Sequence, residues 1–378
     1  MAAVQVCELN GGPVNPANGN TTAGKSGLMR CRDGEGGPVV REQELQQGRF
    51  MGVVRTFRNG TLEREYRVNE RGNRDGPARE WVPAEADRPA GLVREETYRD
   101  GSHVGVARSW YPGGPLRRLT AYGDDGREQA SAEFNPSGQL AELHCAPQPA
   151  LGRDFDDRAA CGHDGGTSSL VLHGSKGQPR ARVAFRHGKR VRSETLGEGG
   201  GVRELRETTA GGGIARSFAA DGTLRHEVQW QNTAGERARR VTTLDKEFHE
   251  SGKPVRERRW RVGEGAGELA SEAQWYLNGQ PRERSDYVEV DGGKRRRSTA
   301  FHDNGRMSFE GSWRIEPSGG RELPVGAHRS FDDAGRLRSE RVFDERGRVS
   351  RERELDEHGT VVRDDEVFED GSRKAFGR

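Results

Sequence analysis

Residues 326–355 read Gly326-Ala-His-Arg329-Ser-Phe331-Asp-Asp-Ala-Gly335-Arg-Leu337-Arg-Ser-Glu-Arg-Val-Phe343-Asp-Glu-Arg-Gly347-Arg-Val349-Ser-Arg-Glu-Arg-Glu-Leu355. Phe331, Phe343 and Leu355 stand twelve residues apart. Each of the two aromatics is followed four residues on by Gly, and two further on by an apolar residue. Glycine after Asp, Asn or Ala is turn chemistry, because it reaches φ > 0 without a Cβ penalty. Between the glycines lie seven or eight residues with a period of two, the period of a strand. Each unit is therefore one strand and one turn, and successive units pair antiparallel as hairpins.

The same grid recurs along the chain. Tyr98, Trp110, Tyr122 and Phe134 keep the twelve-residue step, and so do the pairs Phe218/Trp230, Phe248/Trp260, Trp275/Tyr287 and Phe301/Trp313. A longer template, Gly-x-x-Arg-Ser/Thr-aromatic, fits Gly52–Phe57, Gly105–Trp110, Gly213–Phe218 and Gly326–Phe331, with a weaker copy at Gly76–Trp81. Its Arg lies two residues before the ring, on the same strand face. Arg55, Arg79, Arg108, Arg216 and Arg329 are expected to lie along neighbouring rings and shield them from water. Reading a ligand is their alternative role.

Composition agrees with a thin structure. Hydrophobic residues are 31%, charged residues 32%, and Gly is 54 of 378, against nearly half apolar in an ordinary domain. Disorder would leave no aromatic grid. The net charge is +2, without the basic excess of a nucleic-acid binder. The most basic run, Lys294-Arg295-Arg296-Arg297, reads as a solvated strand or an edge-protecting charge, with phosphate contact as the alternative. No stretch has the length of a membrane span, and the first residues have no apolar signal core. That leaves a cytosolic chain or a mature form whose export signal has been removed.

Four cysteines fall into two local pairs, Cys7 with Cys31 and Cys145 with Cys161. An even count in local pairs fits two loop-closing disulfides and an oxidising compartment. Free thiols are one alternative. A metal set made of His144, Cys145, Cys161 and His163 is another, although its spacing matches no common zinc pattern.

No catalytic motif is present: there is no H-E-x-x-H, G-x-S-x-G or G-x-x-x-x-G-K-[ST]. The chain is read as a non-enzyme that needs no cofactor, with no catalytic and no metal residues. Trp110 and Trp275 keep the grid, so Tyr111 and Tyr276 should point to the opposite face, as partner-binding anchors or packed over their own turns.

The repeat resembles the MORN-variant repeat, over about residues 48–142 and 178–378. The Phe331–Val349 stretch is also similar to the YD repeats of large shell-forming toxin proteins, though the chain is too short for a closed shell. The expected fold is all-β: an elongated antiparallel meander of hairpins, a twisted open sheet or half-pipe with an irregular N-terminal cap. Its parts are a Gly/Asn-rich segment at 1–47, a first repeat block at 48–142, a Cys-flanked insertion at 143–177 and a second block at 178–378. The resemblance implies an immunity or antitoxin protein, monomeric when free. Its partner would be a cognate secreted toxin, of the kind a type VI system delivers, and it would bind and occlude that toxin. The cysteine pairs favour the periplasm over the cytoplasm, and hence a target such as a phospholipase. A lipid or membrane-surface role, or an envelope scaffold, is the alternative.

Overall fold

The structure is a computed structural model that describes residues 5–85, 89–233, 239–263, 267–317 and 320–376. It is all-β, with 61% of residues in strands and 3% in helix. The described strands form two antiparallel sheets, of 13 and 17 strands, in which neighbours along the chain are almost always neighbours in the sheet. Neither sheet closes.

The repeat unit has a simple physical basis. Four anchors pair directly with the apolar residue six positions later: Trp110 with Leu116, Phe134 with Leu140, Phe218 with Leu224, Phe331 with Leu337. The register shifts by one at each of these pairs, a β-bulge beside the turn. The turn itself is closed twice. In the Phe331 hairpin, Asp332 N–H donates to Arg336 O at 2.9 Å and Gly335 N–H to Asp332 O at 2.8 Å. Gly335 has φ +81, which explains the glycine. Asp332 Oδ1 also accepts from the main-chain N–H of Ala334 and Arg336, at 3.0 and 2.8 Å. Asp344 and Asp356 cap their turns in the same way.

The template arginines differ from expectation. They do not lie along rings; they face carboxylates. Directly opposed residues run Glu8, Arg30, Glu42, Arg55, Glu65, Arg79, Glu95, Arg108 across the first sheet, alternating in sign at every strand. Arg55 reaches Glu65 at 2.6 Å and Glu42 at 3.4 Å, and Arg79 reaches Glu95 at 3.0 Å. In the second sheet the order is Glu310, Arg329, Glu340, Arg353, Asp364, and Arg216 pairs with Glu227 at 2.6 Å. A charge-assisted hydrogen bond to an opposed carboxylate outweighs an exposed cation–π contact. Other arginines cover the rings: Arg240 lies 3.8 Å over Trp230 and Arg296 lies 3.9 Å over Trp313. Three members of the basic run are paired as well, Lys294 with Glu268, Arg295 with Glu345 and Arg296 with Glu322. They belong to Gly293–Phe301, an interior strand rather than an edge.

The N-terminal segment is less irregular than its composition suggests. Gln5–Leu9, Gly12–Val14, Gly27–Asp33 and Val39–Gln46 extend the first sheet. Cys7 and Cys31 are directly opposed and disulfide-bonded. With Leu9, Val14, Met29 and Leu45 they make a small buried cluster.

The chain divides into two compact units, residues 1–193 and 194–378. In the first, the main core joins Leu119, Ala132 and Leu143 of the first sheet to Leu172, Val183 and Phe185 of the second. The insertion seals it. The Cys145–Cys161 disulfide closes the segment, and the buried Asp157 carboxylate accepts from the N–H of Ala150 and Leu151, at 2.6 and 2.9 Å. Gly188, with φ +74, lies where a Cβ would sit 2.1 Å from Ala146 O, so only glycine fits against this loop. In the second unit the buried apolar residues are few and dispersed, among them Trp230, Val241, Leu244 and Val325.

Main-chain N–H donors hold the Asp332, Asp344 and Asp356 carboxyls below their ordinary pKa. A depressed carboxylate stabilises the fold above its unfolded pKa, and that contribution is lost as pH falls through the lower, folded value. The triple variant Asp332→Asn, Asp344→Asn, Asp356→Asn keeps the acceptor oxygens. Urea unfolding at neutral and acidic pH should therefore show a smaller acid loss in the variant than in the parent chain; equal losses would refute the role. Removing the Cys145–Cys161 bond in a double Cys→Ser variant should cost about 3 kcal/mol in urea unfolding.

Candidate partner-binding groove

The groove is built from residues that alternate with the charge ladder and so occupy the other face of the first sheet. One row of directly opposed residues is Arg64, Glu80, Arg94, Ser109, Arg118, Glu133. Beside it, Tyr66 opposes Ala78, and Ala78 opposes Glu96. Three adjoining hollows, of about 210, 310 and 530 Å³, open along this face, and Arg94 lines all of them.

The aromatic part is a stack. His103 lies between Tyr98, with ring centres 4.4 Å apart, and Tyr122, at 4.7 Å. The local sequence explains this arrangement, because Asp100-Gly101 makes a tight hairpin that sets His103 opposite Tyr98. Arg74 covers the neighbouring rings, 4.8 Å from Tyr66 and 5.2 Å from Tyr98. Glu96 is central: it accepts from the Tyr98 hydroxyl at 2.8 Å and lies 3.6 Å from His103. Burial pushes the Tyr98 hydroxyl pKa up, and its bond to Glu96 adds to the shift. Burial also raises Tyr122, helped by the charges of Glu128 and Glu96. Arg118 forms the rim and is held by Glu133 at 2.5 Å and Glu128 at 2.9 Å. The widest hollow adds Val82, Val93, Trp110, Tyr111, Arg117 and Phe134.

Of the residues singled out in the sequence, Tyr111 lines this hollow, half-buried. Its hydroxyl donates to Phe134 O, the anchor carbonyl of the next turn, at 2.9 Å. Tyr276, also half-buried, makes the matching bond to Phe301 O at 2.9 Å, in the second unit. Both hydroxyls therefore tie one turn to the next. Both cysteine pairs are disulfides, which removes the thiolates that a site with His144 and His163 would need. The sequence reading missed Arg94, Glu96, His103 and Arg118. His103 had a signal in its position two residues after Asp-Gly. The others become visible only through cross-strand register.

In the second unit, Leu269, Tyr287, Val288 and Ile315 line a hollow of about 420 Å³ with Arg261 and Lys294 at its margin. Burial raises the Tyr287 pKa. His226, Asp245 and Glu247 offer ligand atoms within 4.8 Å of one another. His226 already bonds Asp245 at 2.7 Å, and Arg256 pairs with Glu247, so one of the two carboxylates is neutralised by a guanidinium.

No family model and no curated protein matches the chain. Among solved structures, the crystal structure of TcdB2-TccC3-Cdc42 is similar at 9% identity and a TM-score of 0.18. The match covers 92% of this chain and 20% of that one, so the chain spans about a fifth of its length. A likeness of that size decides neither fold nor function.

Ultraviolet titration should show Tyr98 and Tyr122 ionising above exposed tyrosines, since burial disfavours the phenolate. Tyr122→Phe should remove one of the late transitions. Loss of an early transition instead would contradict the packing of this stack.

Proposed function

We propose that this chain is a non-catalytic binding protein of the immunity type, which occludes a cognate secreted toxin. The observation that carries the reading is the groove of the first unit. Tyr66, Tyr98, His103, Tyr122 and Trp110 present half-buried or buried rings on a rigid sheet, inside a margin of Arg64, Arg94, Arg118, Glu80 and Glu133. Aromatic anchors within a charged rim are the arrangement of protein interfaces: the rings supply affinity, and the charges supply specificity and speed of encounter. Occlusion asks for no catalytic residue of its own. The likeness of the repeat to MORN-variant arrays supports the same reading.

The two disulfides suit an oxidising, extracytoplasmic environment. Among the described residues, no helix is long and apolar enough to cross a membrane. On this reading the compartment is the periplasm, the free protein is a monomer, and the target is an effector acting on the envelope, such as a phospholipase. The net charge of +2 lacks the basic excess of a nucleic-acid binder, so the reading takes a protein as the partner.

The test is a pull-down with the tagged chain from the cells that make it, under non-reducing conditions. One stoichiometric protein carrying a hydrolase or toxin domain is expected, and a Tyr98→Ala, His103→Ala variant should release it. Recovery of lipid alone, or assembly of the chain with itself, would replace this reading with a membrane-surface or scaffold role.

A further inference from the structure

Charge alternation in the groove row breaks at Ser109, as it also does at Thr56 between Arg41 and Arg64 and at the like-charged pair Glu133 and Glu142. Arg64, Glu80 and Arg94 alternate, and so do Arg118 and Glu133, but between Arg94 and Arg118 stands Ser109. A small neutral side chain thus occupies the position where the pattern calls for a carboxylate.

Of the arginines around Ser109, Arg118 is held by Glu133 and Glu128, whereas Arg94 and Arg117 are under-neutralised. The register partner of Arg94, Glu80, is held by Arg64 at 3.1 Å. Arg94 meets Glu96 at 3.8 Å, and its side chain is 56% exposed. Arg117 is the extra residue of the bulge, since Ser109 opposes Arg118 and Trp110 opposes Leu116. In the Phe331 hairpin the corresponding residue, Arg338, is neutralised by Asp332 at 3.2 Å. In the Trp110 hairpin the residue at the Asp332 position is Tyr111. Arg117 lies 5.9 Å over that ring and, among the described residues, has no carboxylate partner. Arg94, Ser109, Trp110, Tyr111 and Arg117 all line the 530 Å³ hollow.

We propose that this hollow receives an acidic segment of the partner protein, whose carboxylate sits over Ser109 and pairs with Arg94. Arg117 steadies the same charge, and an apolar neighbour in the segment packs on Trp110 and Tyr111. Guanidinia exposed beside aromatic surface favour a carboxylate over a cation, and bidentate geometry favours it over a diffuse negative surface. The inference rests on the protein-binding reading and names the chemistry of its partner.

Ser109→Glu is the informative variant, because it supplies the missing carboxylate within the chain. Its thermal melting point should equal or exceed that of the parent, which excludes misfolding. Arg94→Gln is the second variant. Fluorescence anisotropy with labelled poly-L-glutamate should show binding to the parent chain, weakened about tenfold or more in both variants. Poly-L-lysine should not compete. Equal binding by parent and variants overturns the proposal, as does binding of anionic phosphatidylserine vesicles in place of poly-L-glutamate. The pull-down separates the two claims. A partner captured equally by parent, Ser109→Glu and Arg94→Gln chains leaves occlusion standing and removes the acidic docking. Arg94-dependent poly-L-glutamate binding with no protein partner captured supports the docking chemistry and removes the occlusion reading.

Discussion

The opposed Arg–carboxylate pair is the interaction on which the rest of this structure depends. A sheet with 31% hydrophobic residues cannot rely on burial alone to hold its register, and register is weakly specified wherever both faces are polar. Alternating charge supplies what the apolar pattern lacks. Glu42, Arg55, Glu65, Arg79 and Glu95 each meet opposite charges across the strand. Each exposed pair contributes only about 0.2–1 kcal/mol. Their weight lies in repetition and in selectivity, because a slip by one residue would turn every member of the row to the wrong face.

The turns form a second framework along the sheet margins. Tyr111 binds the carbonyl of Phe134 and Tyr276 that of Phe301, while His302 Nε2 lies 3.0 Å from Phe331 O. Asn278 and Asn304 donate to Asp303 O and Asp333 O. Each of these side chains comes from one turn and satisfies a carbonyl at the next. A hairpin that is marginal alone is thereby fixed to its neighbour at the ladder and at the turn.

The two units use these devices over different foundations. The first has a core beneath Leu119, Ala132 and Leu143, sealed by an insertion that a disulfide closes. The second depends more on the ladder, the caps and single covered rings such as Trp230 beneath Arg240. The groove belongs to the better founded unit. A sheet held firmly from one side can leave rings only partly covered on the other.

The sequence by itself determined the all-β hairpin repeat, the turns on the twelve-residue grid and which cysteines lie close enough along the chain to pair. These are local properties: glycine at φ > 0, an Asp or Asn that caps its own turn, a period of two, and cysteines close along the chain. It placed Tyr111 and Tyr276 after their anchors but could not decide what their hydroxyls reach, because Phe134 O and Phe301 O belong to other hairpins. Likewise it placed Arg55 and Arg329 on the face of a ring, whereas the structure turned them to carboxylates of neighbouring strands. Only the tertiary structure decided the cross-strand partners, since each bulge shifts register by one, and so only it revealed that Ser109 stands between Arg94 and Arg118. Which residues share a strand is written in the chain; which residues face one another depends on the bulges, turns and twist of every hairpin between them.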